Sequence, residues 1–137
     1  MSKKLSKLRI SFTTLFVLLL FSGCGNYVQF GGKVTDSDGQ PCTKGYVVFS
    51  NGKVSSRGKL QSDGTYKLDS LKDGDGLAPG KYQVYLAGHH EYVGSPNGLV
   101  GVSDIDVKYE SASTSSLSCE VIKGGHFDFT VELKKKK

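Results

Sequence analysis

GKVTDSDGQPCTKGYVVF, residues 32–49, is the stretch that decides the fold. Residues 33–35 are short and partly β-branched, which suits a strand. Residues 36–40 are polar, and Asp38-Gly39 tolerates the positive φ of a tight turn. Pro41 fixes φ and lacks an N–H, so it belongs after the turn and outside any central strand. Tyr46-Val47-Val48-Phe49 then packs well on a pleated surface. The segment reads strand, turn, proline, strand, and the same grammar recurs along the chain.

Working outward, Val28, Phe30, Gly32 and Val34 fall on one parity, with Gln29 and Lys33 on the other. This predicts a first strand starting near Tyr27. The second strand is 45–50, with Val47 and Phe49 inward. Asn51-Gly52 is a hairpin signal leading to a polar strand over 53–60, expected at a sheet edge. A turn at Ser62-Asp63-Gly64 precedes a strand over 65–69, with Tyr66 and Leu68 inward. The strand over 81–86 turns Tyr82, Val84 and Leu86 inward. Residues 87–104 lose the pattern and read as a glycine-rich loop. Strands over 117–122 and 126–133 close the chain. The last alternates cleanly, with Phe127, Phe129, Val131 and Leu133 inward. No long window after residue 23 has a helical period. These elements predict one all-β domain, an antiparallel β-sandwich of seven to eight strands.

The chain has 137 residues, 18 of them glycine, and a formal net charge of +5. Lys3, Lys4, Lys7 and Arg9 lie in a leader, and without them the charge is about +1. Without Lys134, Lys135, Lys136 and Lys137 as well, it is about −3. The excess basicity belongs to the two ends and gives no support for nucleic-acid binding by the domain.

Residues 1–23 have the grammar of a signal segment, with a basic start, an apolar run over 10–21 and the small pair Ser22-Gly23. The apolar run is short for a permanent membrane helix. LLLFSGC, residues 18–24, resembles a bacterial lipobox, with Phe21 where leucine is usual. The resemblance implies diacylation of the Cys24 sulfur, cleavage before Cys24 and, usually, acylation of the new amino group. Two or three acyl chains anchor stably where one does not. Gly25 stands where an aspartate would imply inner-membrane retention, so the outer membrane is the expected location in a diderm host. The expected organisation is a signal peptide over 1–23, a lipidated tether over 24–26, a sandwich over 27–133 and a basic tail over 134–137.

GKVTDSDGQP…GYVVF, SDGTYKL and GLAPGKYQVYL together resemble the carboxypeptidase regulatory-like domain, a transthyretin-like sandwich. Residues 108–133 are similar to the C-terminal part of small bacterial lipoproteins that carry this domain. There the pattern is met by Lys108-Tyr109, Thr114-Ser115, Gly124-Gly125 and Phe127-Asp128-Phe129. The resemblance implies an Ig-like β-sandwich without peptidase activity.

Chemistry-bearing residues are few. Cys42 and Cys119 are the thiols that an oxidising compartment could join, closing a loop of about 77 residues. The alternative is two buried, inert thiols. His89-His90-Glu91 invites a metal reading, but neighbours on an extended segment point apart, so no metal site is expected there. Asp36, Asp38, Asp73 and Asp75 do not meet the calcium-loop spacing. No nucleophile elbow, phosphate-binding loop or dinucleotide fingerprint is present, so no catalytic residue and no cofactor is expected. An enzyme would need His90, Glu91 and His126 in one pocket. Tyr46 and Tyr85 have outward parity and Tyr92 lies in the glycine-rich stretch, which makes these three the candidate ligand contacts. The reading is a non-catalytic, membrane-anchored interaction module of the cell envelope, with an envelope protein or a glycan as partner. Carbohydrate or small-ligand binding by the tyrosines is the alternative, and a hydrolase or metal-binding protein the remote one.

Overall fold

A computed structural model describes residues 26–69 and 76–134. The signal segment, Cys24, Asp73, Asp75 and Lys135–Lys137 lie outside those residues. Among the described residues there are nine strands and one 3₁₀ turn (Val107–Glu110). None of these elements is a helix long and apolar enough to cross a membrane.

The strands are β1 (Gly31–Asp36), β2 (Tyr46–Ser50), β3 (Ser55–Lys59), β4 (Thr65–Lys67), β5 (Gly80–Ala87), β6 (Glu91–Ser95), β7 (Gly98–Val102), β8 (Ser118–Val121) and β9 (Phe129–Val131). They form a four-stranded sheet, β3-β2-β5-β8, and a three-stranded sheet, β4-β1-β9. The expected β-sandwich is therefore present. One pairing departs from the antiparallel expectation: β9 runs parallel to β1, with Val34 opposite Phe129 and Asp36 opposite Val131. A third, two-stranded sheet is the antiparallel hairpin β6-β7. Residues 91–102, expected as loop, are this hairpin.

The deciding stretch crosses between the two main sheets. The Asp36 carboxylate accepts from the backbone N–H of Asp38 at 2.9 Å and of Gln40 at 3.0 Å, which holds the turn. Cys42 N–H then donates to the Val34 carbonyl, closing the turn onto β1. Only after that does the chain enter β2, in the opposite sheet. Asn51-Gly52 makes the expected hairpin, and the Asn51 side chain accepts from the N–H groups of Lys53 and Val54. β3 ends the four-stranded sheet, as its polar composition implies. Its outer edge is partly capped, because Asp69 N–H donates to the Arg57 carbonyl.

Core packing centres on Phe49, which is fully buried. The rings of Phe30, Tyr66, Tyr82 and Phe127 surround it at centroid distances of 5.9 to 6.5 Å. Val34, Val47, Leu68, Leu77, Val84, Leu86, Val121 and Val131 complete the core. The inward parity expected for residues 127–133 holds, although only 129–131 pair as strand. The first strand likewise starts later than expected, with Val28 making an isolated bridge to Leu77.

Candidate functional site

Both ends of the hairpin β6-β7 attach to the sandwich beside one cluster of polar side chains. Gly88 ends the extension of β5 with φ +66°, a conformation that side-chain-bearing residues rarely adopt. His89 and His90 therefore stand between strands, where the rule that neighbours point apart does not apply. Their rings lie 4.6 Å apart, tilted by 32°. Gly45 gives the local chain its space. A Cβ at Gly45 would come 2.3 Å from the Ala87 carbonyl oxygen and 2.8 Å from the His89 nitrogen.

The partner of the two histidines is Glu110, the last residue of the 3₁₀ turn. Glu110 Oε1 lies 3.5 Å from His89 Nε2 and 3.1 Å from His90 Nε2. The turn itself is pinned by two contacts. Asp106 caps it by accepting from Lys108 N–H, and the buried Tyr109 accepts at its hydroxyl from Glu132 N–H. The His89 side chain is 2% exposed. Neither of its ring nitrogens has a hydrogen-bond partner in the structure. Burial holds this imidazole below its ordinary pKa. His90 pushes the same way and Glu110 partly opposes them.

Glu91, the neighbour considered from sequence, faces elsewhere and pairs with Lys44. His126 is exposed and lies 3.8 Å from Asp128. Among the described residues, the group close enough to share an ion is His89, His90 and Glu110, without Glu91 or His126. Sequence spacing offered little sign of Glu110, which sits in a polar stretch remote from the histidines.

The hairpin beyond this cluster is bare. Every residue of β6 and β7 except Ser95 is exposed. Tyr92 is 72% exposed and Leu99 75%, with Val93, Val100 and Val102 also open.

The tyrosines do not form one platform. Tyr46 and Tyr85 share the outward face of the four-stranded sheet and both are half-buried. The Arg57 guanidinium lies over the Tyr46 ring at 4.7 Å. Tyr92 belongs to the separate hairpin sheet. Cys42 and Cys119 are free thiols in the structure. Cys42 is buried where the turn closes on β1, and Cys119 stands on β8 opposite Tyr82. Burial pushes the Cys42 thiol up to about 11, with Asp36 adding to the shift. Of the acidic turn residues, Asp36 spends a carboxylate oxygen on its own turn.

No protein-family model, curated protein or solved structure matches the chain.

Proposed function

We propose that this chain is an exported, lipid-anchored, non-catalytic module of the cell envelope that presents the hairpin β6-β7 to a protein partner. The observation that carries the reading is the uncovered hairpin, with five large apolar side chains and no face against the sandwich core. Tyr92 and Leu99 share one face of the hairpin and Val93, Val100 and Val102 the other, and exposed apolar surface of this kind marks an interaction site. Aromatic and aliphatic anchors of this type dominate protein interfaces when a partner desolvates them.

The anchor rests on the lipobox-like residues 18–24. Gly25, Asn26 and Tyr27 separate Cys24 from Val28, whose N–H makes a backbone hydrogen bond to Leu77 at 2.9 Å. Four Cα steps reach at most about 15 Å. A lipidated Cys24 would therefore hold the sandwich close to the bilayer, and in a diderm host the residue after Cys24 favours the outer membrane. The resemblance to small lipoproteins with a carboxypeptidase regulatory-like domain supports the same reading. Glycan binding by tyrosines is less favoured, because Arg57 covers Tyr46 and the three rings lie on two sheets.

The test is the intact mass of the chain recovered from bacterial membranes. A mature chain starting at Cys24 with two or three acyl groups is expected. An unprocessed or unlipidated chain overturns the anchor, whatever the hairpin binds.

A further inference from the structure

We propose that His89, His90 and Glu110 together hold one divalent transition-metal ion of the zinc class. Each residue offers one ligand atom, and these atoms lie within 4.8 Å of one another. Both Nε2 atoms face the same carboxylate oxygen, at 3.5 and 3.1 Å. Bonds of about 2.0–2.2 Å around a tetrahedral ion place neighbouring ligand atoms about 3.3 Å apart. Those two separations already have that size.

A second observation is the burial of His89. Its Nε2 meets only the Glu110 carboxylate, at 3.5 Å and without a hydrogen bond, and its Nδ1 has no hydrogen-bond partner. Buried polar groups in folded proteins are nearly always hydrogen-bonded or ligated, so this exception calls for a partner. Ligation through Nε2 supplies one. The donor set sorts the class of ion. Two imidazoles and one carboxylate suit zinc and its first-row neighbours, whereas calcium and magnesium take mainly oxygen. His90 and Glu110 are each 29% exposed at the side chain, which leaves a solvent-facing side for a fourth ligand.

Position gives the site its consequence. His89 and His90 immediately precede β6, and Glu110 follows β7 by way of the 3₁₀ turn. A Cβ on Gly101 of β7 would touch the His90 side chain at 3.5 Å. An ion here would tie both ends of the hairpin to the sandwich and set the hairpin's direction. The inference stands apart from the lipid anchor and from any partner.

The test uses the full-length chain in detergent under reducing conditions, titrated with Co2+ and then with Zn2+. His89 is avoided as a first variant because its buried ring packs the fold. The informative variants are H90Q and E110Q, at partly exposed positions, with H126Q as control. Wild type is expected to show tetrahedral Co2+ absorption, displaced by one Zn2+ per chain, and a higher melting temperature with Zn2+. H90Q and E110Q should each weaken Zn2+ binding at least about tenfold and lose the thermal shift, while H126Q behaves as wild type. Absence of saturable binding overturns the site, as does binding by H90Q and E110Q that equals wild type.

Discussion

The Tyr66 hydroxyl donates to the backbone carbonyl of Phe127 at 2.7 Å, passing over Gly32. Gly32 is opposite Tyr66 in the β1-β4 register. A Cβ on Gly32 would come 2.0 Å from that same carbonyl oxygen. The missing side chain is what lets the chain at Phe127 approach β1 and accept the phenol. Gly32→Ala should therefore lower stability by about 2–3 kcal/mol, through forced separation and a damaged hydrogen bond. Tyr66→Phe, which keeps the ring, should cost about 1 kcal/mol. Urea titrations of the two variants check the order. A Gly32→Ala cost below about 0.5 kcal/mol would sink this account.

The same phenol makes the fold sensitive to alkali. Burial raises the Tyr66 pKa well above its ordinary value, and Cys119 and Asp128 add to the shift. A raised folded-state value means that the native form keeps a proton which the unfolded chain releases. The contribution to stability is full below about pH 10, the unfolded value, and is lost as pH rises above it. The urea midpoint of wild type should fall between about pH 8 and about pH 10.5. Tyr66→Phe should show a smaller fall. It will not show none, because burial also raises Cys42, Cys119 and Tyr82, and the two thiols contribute at the lower end of that range. Equal slopes for the two proteins would assign the alkaline loss to other groups.

Alternation made the buried strands readable from sequence, and its absence hid the rest. Phe127, Phe129, Val131 and Leu133 alternate because one face of that segment meets the core. Asn51-Gly52 announced its hairpin through turn chemistry alone. Residues 91–102 have no buried face, so Tyr92, Val93, Leu99, Val100 and Val102 carry no in-out rhythm. Gly94, Gly98 and Gly101 dilute the strand composition further. Asn97-Gly98 was the usable signal. Val48 shows the opposite failure. Its parity is outward, yet it is buried, because Arg57 and Tyr85 stand beside it in register. The side-by-side placement of His89 and His90 is not legible from an extended reading of the segment, because the positive φ of Gly88 ends the extension before them. Glu110 was out of reach because the contact depends on where the 3₁₀ turn docks, and Tyr109 decides that through tertiary packing.

The two described thiols should differ in reactivity. Cys42 is 9% exposed, with its pKa pushed up to about 11 by burial and Asp36. At pH 8 only about one Cys42 in a thousand would be thiolate, the reactive form. Cys119 is half-buried and its thiol is also raised by burial, with Glu120 adding. Alkylation of the native reduced protein, read by peptide mass, should label Cys119 first and Cys42 far more slowly. In denaturant the two should react alike. Native labelling of Cys42 as fast as Cys119 would mean that the turn onto β1 opens readily.

The hairpin separates stability from function. Tyr92 and Leu99 are among the most exposed large side chains described, and neither belongs to the core cluster. Replacing both by serine should change the unfolding free energy by no more than about 0.5 kcal/mol, as for surface positions generally. If a partner desolvates them, the same double variant should weaken binding by at least about 2 kcal/mol, since central apolar anchors carry most interface energy. A photo-crosslinking residue placed at Val100 of the lipidated chain reads the second effect in intact envelopes. The expected result is a discrete cross-linked species in wild type that disappears in the double variant at unchanged protein level. A double variant that melts well below wild type would show the hairpin to be packed against the sandwich. A cross-link that persists unchanged would place the contact elsewhere on the surface and leave the hairpin without the role proposed for it.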